Sequence, residues 1–332
     1  MKPALRSTMP TRILGRSGVE VSAIGFGAGP LGGFYGPVAA DAGAAAAHRA
    51  FELGVRYFDV APLYGHGRAE LALGHALRDI DRDAFVLSTK VGRYTVPAGA
   101  SGQPSRLRDA GVPFNPVRDY SREGALRSLE QSLLRLGVAR IDLVYVHDVD
   151  AHSQGTDEAA EQAFRAAMAG ALPALLELKA QGVIRAVGVG INQPHWALRW
   201  LAEAEFDALM LAGRLTLLNR DAELGVLAAC RAHGVAYVAA GAFNGGLLAR
   251  GEDGDGRYNY RPTPVEVRDR YAALATLARE HAVELKAAAL QFPLRCGDVA
   301  SLVVGASTAQ EVEENIRLLE SPVPESFWAA LA

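Results

Sequence analysis

The stretch RYFDVAPLYG, residues 56–65, joins a β-favouring run to a proline-containing loop and places an acid, Asp59, and a phenol, Tyr64, where the apolar run stops. Aromatic and β-branched residues suit a pleated, half-buried surface, and the residue before Pro62 is biased away from the helix. The run VRYFDV (55–60) therefore reads as a strand with Asp59 at its carboxyl end and Tyr64 in the loop beyond. Seven further runs of the same character flank it: AIGFG (23–27), AFVLSTK (84–90), IDLVYVH (141–147), RAVGVG (185–190), FDALML (206–211), VAYVAA (235–240) and ASLVVG (300–305). Between most of them lie segments with helical spacing, among them residues 41–54, 121–137 and 220–234, each ending in glycine as helix C-caps commonly do. Strand, helix, strand in repetition implies parallel pairing through right-handed crossovers. Eight such units close most naturally into a (β/α)8 TIM barrel; the alternative is a doubly wound open sheet. GFGAGPLGG (25–33) runs on into FYGPV before any helical pattern, so the strand-to-helix context of a dinucleotide fingerprint is missing.

The chain has 332 residues, within the range of an α/β barrel built as one unit, and the expectation is a single domain over 1–332. Hydrophobic residues make up 50% and charged ones 21%, enough apolar material for a large core. A net charge of -3 without clustered Lys and Arg argues against a nucleic-acid partner. The N-terminal segment MKPALRSTMPTR lacks an apolar export core and no run approaches a membrane span, so a cytoplasmic enzyme without membrane contact is expected. Cys230 and Cys296 lie in Ala- and Leu-rich helical contexts without metal-ligand spacing; reduced packing roles and no metal site follow.

RILGRSGVEVS (12–22), with Gly15 and Gly18 in its turn, reads as an N-terminal β-hairpin able to cover the barrel floor. Residues 93–120, after the third strand, and 241–263, after the seventh, exceed ordinary connections and are read as loops covering a substrate at the carboxyl rim. Lys90 ends the third strand and His147 the fourth. Singly, Asp59 is explained as a cap, Lys90 as a solvated terminus and His147 as a core histidine. Three consecutive strand ends carrying them beside Tyr64 point to a site.

With RYFDVAPLYG, VLSTKVGR, SLEQSLLRLGVARIDLVYVHD, GVIRAVGVGINQ and VVGASTAQEVEEN in one order, the chain resembles the aldo-keto reductases over nearly its whole length, and within them a branch of aldose and pyridoxal dehydrogenases. The resemblance implies hydride transfer with a nicotinamide cofactor. A phenol near its unperturbed pKa of ~10 is a weak base at neutral pH. A nearby Lys90 ammonium favours the phenolate, and Asp59 keeps that ammonium charged. Tyr64 is thus expected to be the general acid/base, Lys90 and Asp59 to tune it, and His147 to orient the substrate oxygen.

For the cofactor, the resemblance implies contacts from Gly27 and Ala28, from Asn192 to the carboxamide, and from Gly241, Phe243, Gly245, Gly246 and Leu247 along the pyrophosphate. Gly305, Ala306 and Ser307 then begin the adenosine end, with Glu314 and Asn315 facing the adenine. NADP-preferring relatives commonly carry an arginine where this chain has Glu311, and no Lys or Arg occurs between Gly305 and Asn315, so NAD is expected over NADP. The usual nicotinamide-stacking tyrosine has no counterpart at Ala240-Gly241; Phe243 is the candidate replacement. Tyr35, Trp196, Tyr258 and Tyr260 are candidates for an aromatic substrate mouth.

The reaction that the branch resemblance implies is oxidation at C1 of a free aldose of the L-fucose, D-arabinose or L-galactose type to its lactone. Pyridoxal dehydrogenation and broad NADPH-linked aldehyde reduction are the neighbouring alternatives. Two readings from other classes are a Schiff-base lyase using Lys90, which the adjacent Asp59 opposes by keeping the amine charged, and a cofactor-binding channel subunit, which the complete set of four residues opposes.

Overall fold

The computed structural model describes residues 9–33, 36–98, 112–251, 257–259 and 261–331. Strands β1 (Thr11–Ile13) and β2 (Glu20–Ser22) pair antiparallel as the N-terminal hairpin. β3 (Ile24–Gly27), β4 (Tyr57–Asp59) and β5 (Val86–Val91) follow, then a second hairpin of β6 (Arg93–Pro97) and β7 (Phe114–Arg118). β8 (Leu143–His147), β9 (Ala186–Ile191), β10 (Ala208–Ala212) and β11 (Ala236–Ala240) precede a short ribbon of β12 (Arg257–Tyr258) and β13 (Arg261–Pro262), and β14 (Val299–Gly305) ends the series. The eight segments singled out in the sequence pair as a closed parallel barrel in the order β3-β4-β5-β8-β9-β10-β11-β14, with β14 returning to β3. This is the (β/α)8 barrel, and the open sheet is excluded by that last pairing.

Side chains alternate between two cores because successive residues of a strand face opposite ways. Phe58, Leu87, Val144, Val146, Val187 and Leu209 pack outward under the helices. Tyr57, Leu143, Tyr145, Ala186, Met210 and Val238 fill the barrel, joined from below by Leu14, Val19 and Val21 of the N-terminal hairpin. The hairpin therefore plugs the floor, as its sequence suggested; Leu14 and Val19 are fully buried.

Helix boundaries follow their caps. Ser121 Oγ accepts from Gly124 N at 3.1 Å to start the helix Arg122–Leu136, and Gly137 (φ 65°) ends it in the left-handed conformation. On β5 the outward Thr89 donates to Glu70 Oε1 at 2.7 Å, and Arg135 Nε meets Glu70 Oε2 at 2.6 Å. Two helices are thereby tied to the back of the strand whose inner face carries Ser88 and Lys90. Both cysteines are free; Cys230 is buried, and burial pushes its thiol up to about 12.

Both long rim segments contain structure of their own. The first carries the β6–β7 hairpin, and the second a one-turn helix Leu247–Arg250 before the β12–β13 ribbon. His66 Nδ1, 2.9 Å from Phe114 O, links the loop after β4 to β7.

Candidate active site

The inward residue at the carboxyl end of each barrel strand forms the uppermost interior layer. Asp59, Lys90 and His147 come from the adjacent strands β4, β5 and β8, while the last inward residues of β3, β9, β10, β11 and β14 are Gly27, Gly190, Ala212, Ala240 and Gly305. Five small ends beside three functional ones leave a cavity of about 530 Å³ lined by all eight, with Tyr64 on the same wall.

Lys90 is 1% exposed, and its Nζ lies 2.7 and 2.6 Å from the two Asp59 oxygens and 2.9 Å from Val60 O. These three acceptors match its three donors. Its Nζ is 5.2 Å from the centre of the Tyr64 ring. Ser88 Oγ donates to Asp59 Oδ1 at 2.6 Å and lies 3.1 Å from Tyr57 Oη, which is 3.0 Å from Tyr145 Oη. Burial pushes both of those phenols upward, so they stay neutral donors beneath the ion pair.

Tyr64 is held by backbone against backbone. A Cβ on Gly32 would lie 2.5 Å from the Tyr64 carbonyl carbon, and one on Gly65 (φ 61°) 2.5 Å from Gly32 O, so only glycines permit this approach. The Tyr64 ring stands edge-on to His147, with centroids 6.2 Å apart. Burial pushes the His147 imidazole down to about 3; the Lys90 and Arg93 charges act in the same sense and the Asp148 carboxylate opposes them. At neutral pH it is an uncharged ring able to hydrogen-bond a substrate oxygen.

Beyond His147 the chain turns through Asp148 in the left-handed region (φ 62°). Its carboxylate accepts from Arg93 Nη1 at 2.8 Å and lies 3.3 Å from His147 Nε2. Burial alone would raise this acid, but the adjoining His147 and the Arg93 guanidinium hold it below the usual carboxylate range. Sequence reasoning passed over Arg93 and Asp148, although each stands within three residues of a named site residue, in STKVGR and VHD.

The expected cofactor residues fall into three groups. Gly27, Asn192, Gly241 and Gly305 line the cavity. Ala28 is buried behind it, its N–H bonded to Asp59 O at 2.8 Å, and Asn192 Nδ2 is directed to Asp150 and Ser153, each at 3.2 Å. Phe243, Gly245, Gly246 and Leu247 follow β11 in a turn with positive φ at Asn244, Gly245 and Gly246, a run able to aim several N–H groups at an anion. Phe243 is half-buried with Lys286 Nζ 5.7 Å from its ring and is not among the cavity-lining residues. After β14, Ala306 is buried and Thr308 caps the helix Ala309–Glu320. Glu311 Oε2 accepts from Ser307 N at 2.6 Å, Glu314 pairs with Lys286 at 2.6 Å, and Asn315 is buried.

A carboxylate of the chain itself thus stands at the positive end of that helix, where an incoming phosphate would otherwise sit. The bare rim, the glycine turn and this helix start fit a nicotinamide dinucleotide.

The aromatic substrate mouth is corrected. Trp196 lies in the helix Pro194–Glu203, 4% exposed and packed on Phe164, because its position falls on the apolar stripe of that helix. Tyr258 is buried in a cluster with Leu217, Leu247 and Leu248. Tyr35 and Tyr260 lie outside the described residues.

An eight-stranded barrel with Asp, Tyr, Lys and His gathered at its carboxyl rim defines a class of oxidoreductase scaffold, and comparison with known proteins agrees. The model of the aldo/keto reductase family matches residues 23–332, and the chain belongs to that family. It is 38% identical over 329 residues to pyridoxal 4-dehydrogenase of Microbacterium luteolum, covering 96% of each chain. It is 39% identical over 322 residues to D-threo-aldose 1-dehydrogenase of a Pseudomonas species, covering 95% of this chain and 94% of the other. Among solved structures, an aldo-keto reductase of Bacillus halodurans in its holo form superposes with a TM-score of 0.74 at 26% identity, over 98% of this chain and 96% of the other. Among the described residues no helix is long and apolar enough to cross a membrane.

Proposed function

We propose that the protein oxidises the cyclic hemiacetal of a free aldose at C1, giving the lactone, with NAD preferred over NADP and with the whole activity carried by one barrel domain. Bound nicotinamide supplies the acceptor for the hydride that leaves C1. Tyr64, as phenolate, takes the proton of the C1 hydroxyl while the carbonyl of the lactone forms. Lys90 favours the phenolate through its charge, because its three donors are already occupied by Asp59 and Val60. That bonding also opposes a Schiff-base role, because the amine would have to leave all three acceptors to attack a carbonyl. The neutral His147 holds the same substrate oxygen and sets the approach of C1. Asp59 fixes the ammonium, and Ser88 in turn fixes Asp59.

The observation that carries the reading is the convergence of Tyr64, Lys90 and His147 on one cavity, with the ammonium beside the phenol ring. NAD preference rests on Glu311 at the start of the last barrel helix. The dehydrogenase direction and the sugar rest on likeness to the aldose dehydrogenase. Pyridoxal oxidation is the second reading, favoured by a relative of almost equal identity. The two share a chemical feature, an aldehyde that closes onto its own hydroxyl and so presents both a C–H and an O–H at the reacting carbon.

L-Fucose, D-arabinose, pyridoxal and aromatic aldehydes assayed with NAD and NADP, by absorbance of the reduced nicotinamide, test the proposal. Turnover of the sugars with NAD is expected. Activity on pyridoxal alone replaces the first reading by the second, and aldehyde reduction without any oxidation overturns both.

A further inference from the structure

Arg93 and Asp148 face the cavity from beside His147 but take no part in the proton transfer. Arg93 begins β6 and is 7% exposed, and Asp148 is 8% exposed. Removing an Arg and an Asp from water together is costly unless most of their donors and acceptors find partners. The Arg93 guanidinium, however, gives one N–H to Asp148 and makes no other hydrogen bond among the described residues. A guanidinium carries five donors in a fixed fork. The remaining ones belong to a side chain that is more than nine-tenths buried and stands in the wall of the cavity that also holds Tyr64 and His147.

The carboxylate is equally placed. Asp148 Oδ1 is 3.3 Å from His147 Nε2, the ring that meets the C1 oxygen in the proposed reaction, so an oxygen on the carbon next to C1 falls within its reach. Its left-handed backbone (φ 62°) is an uncommon conformation for a residue other than glycine, and Asp148 N is bonded to Gly190 O at 2.8 Å. Asn192 Nδ2, 3.4 Å from the same Oδ1, supports the carboxylate from just beyond β9.

We propose that Arg93 and Asp148 form a clamp for the hydroxyl at C2, its oxygen accepting from the guanidinium and its O–H donating to the carboxylate. The assignment rests on the aldose reading and narrows it: the substrate carries a hydroxyl on the carbon adjacent to the one oxidised. A buried site made to hydrogen-bond a hydroxyl rejects the analogue that lacks it, because its polar groups are left unpaired.

The test compares D-arabinose with 2-deoxy-D-ribose, which lacks the C2 hydroxyl. Dissociation constants are measured by saturation-transfer NMR on the full chain with NADH bound, a readout that needs no turnover; NAD-linked oxidation of the same sugars is followed separately. The wild-type protein is expected to bind D-arabinose about 10- to 100-fold more tightly. Arg93→Met should weaken D-arabinose and leave the deoxy sugar nearly unchanged, so that discrimination collapses. Should Arg93→Met fail to fold, Arg93→Lys keeps the charge and loses the fork, and a severalfold loss of discrimination is expected. Equal weakening of both sugars, unchanged discrimination in the variants, or no preference in the wild type overturns the clamp. Discrimination without oxidation supports the clamp and overturns the proposed function instead.

Discussion

Replacing Lys90 separates what the buried ion pair does for the chemistry from what it does for the fold. With Nζ 5.2 Å from the Tyr64 ring centre, a unit charge at an effective dielectric constant of about 20 favours phenolate over phenol by about 3 kcal/mol. The Asp59 carboxylate bonded to the ammonium subtracts part of that. Lys90→Met is therefore expected to lower oxidation at neutral pH about 10- to 100-fold and to move the rising limb of the pH–rate profile to higher pH, since the base must now lose its proton unaided. The same variant strands a carboxylate that is 2% exposed, and a loss of about 3–5 kcal/mol in stability follows. Asp59→Asn combined with Lys90→Met removes both charges, so stability should largely return while the rate and the alkaline shift do not. Urea unfolding monitored by tryptophan fluorescence, alongside kcat/KM from pH 6 to 10, makes the comparison. A double variant with wild-type kinetics, or a Lys90→Met protein with an unmoved pH profile, would refute the claim that the lysine acts through its charge on the phenol.

Other expectations are more compact. Tyr64→Phe should abolish turnover while leaving the affinity for NADH, measured by fluorescence titration, within about threefold. Glu311→Arg replaces a carboxylate bonded to Ser307 N with a cation, and the ratio of kcat/KM for NADP to that for NAD should rise by about 10- to 100-fold; an unchanged ratio removes the argument for NAD. His147, held neutral down to about pH 3 in the folded chain against about 6.5 unfolded, contributes stability that is complete above pH 6.5 and is lost as pH falls through that window. Urea midpoints at pH 7 and pH 4.5 should therefore differ less in His147→Phe than in the parent. Leu14→Ala in the floor plug should cost about 2–5 kcal/mol in stability without altering kcat, because the hairpin lies at the opposite end of the barrel from the rim.

The barrel was legible because each strand announced itself by composition and three of the helices by their terminal glycines, and because the ends of β4, β5 and β8 carried together polar residues that a bland reading explains only one at a time. Arg93 and Asp148 were not legible for a definite reason. Their importance lies in burial and in a left-handed turn at residue 148, and neither is visible in a one-dimensional pattern. Trp196 misled in the opposite sense. An aromatic residue after a strand suits a binding mouth, yet Pro194 starts a helix at once and turns the indole into the outer core. Phe243, offered as a stacking ring, sits near Lys286, and a contact between a loop and a distant helix leaves no periodic signature. A bearing of Glu311 on cofactor choice is what the resemblance implies, whereas its bond to Ser307 N needed coordinates.

The five Gly and Ala strand ends opposite Asp59, Lys90 and His147 have an engineering corollary. The reactive groups are anchored to backbone registered across neighbouring strands, with Asp59 opposite Ser88 and Lys90 opposite Tyr145, whereas the β6–β7 hairpin rests on top. Transplanting that hairpin from a cousin of different taste should retune selectivity without disturbing the reaction. Enlarging a single rim glycine would instead occlude the berth itself.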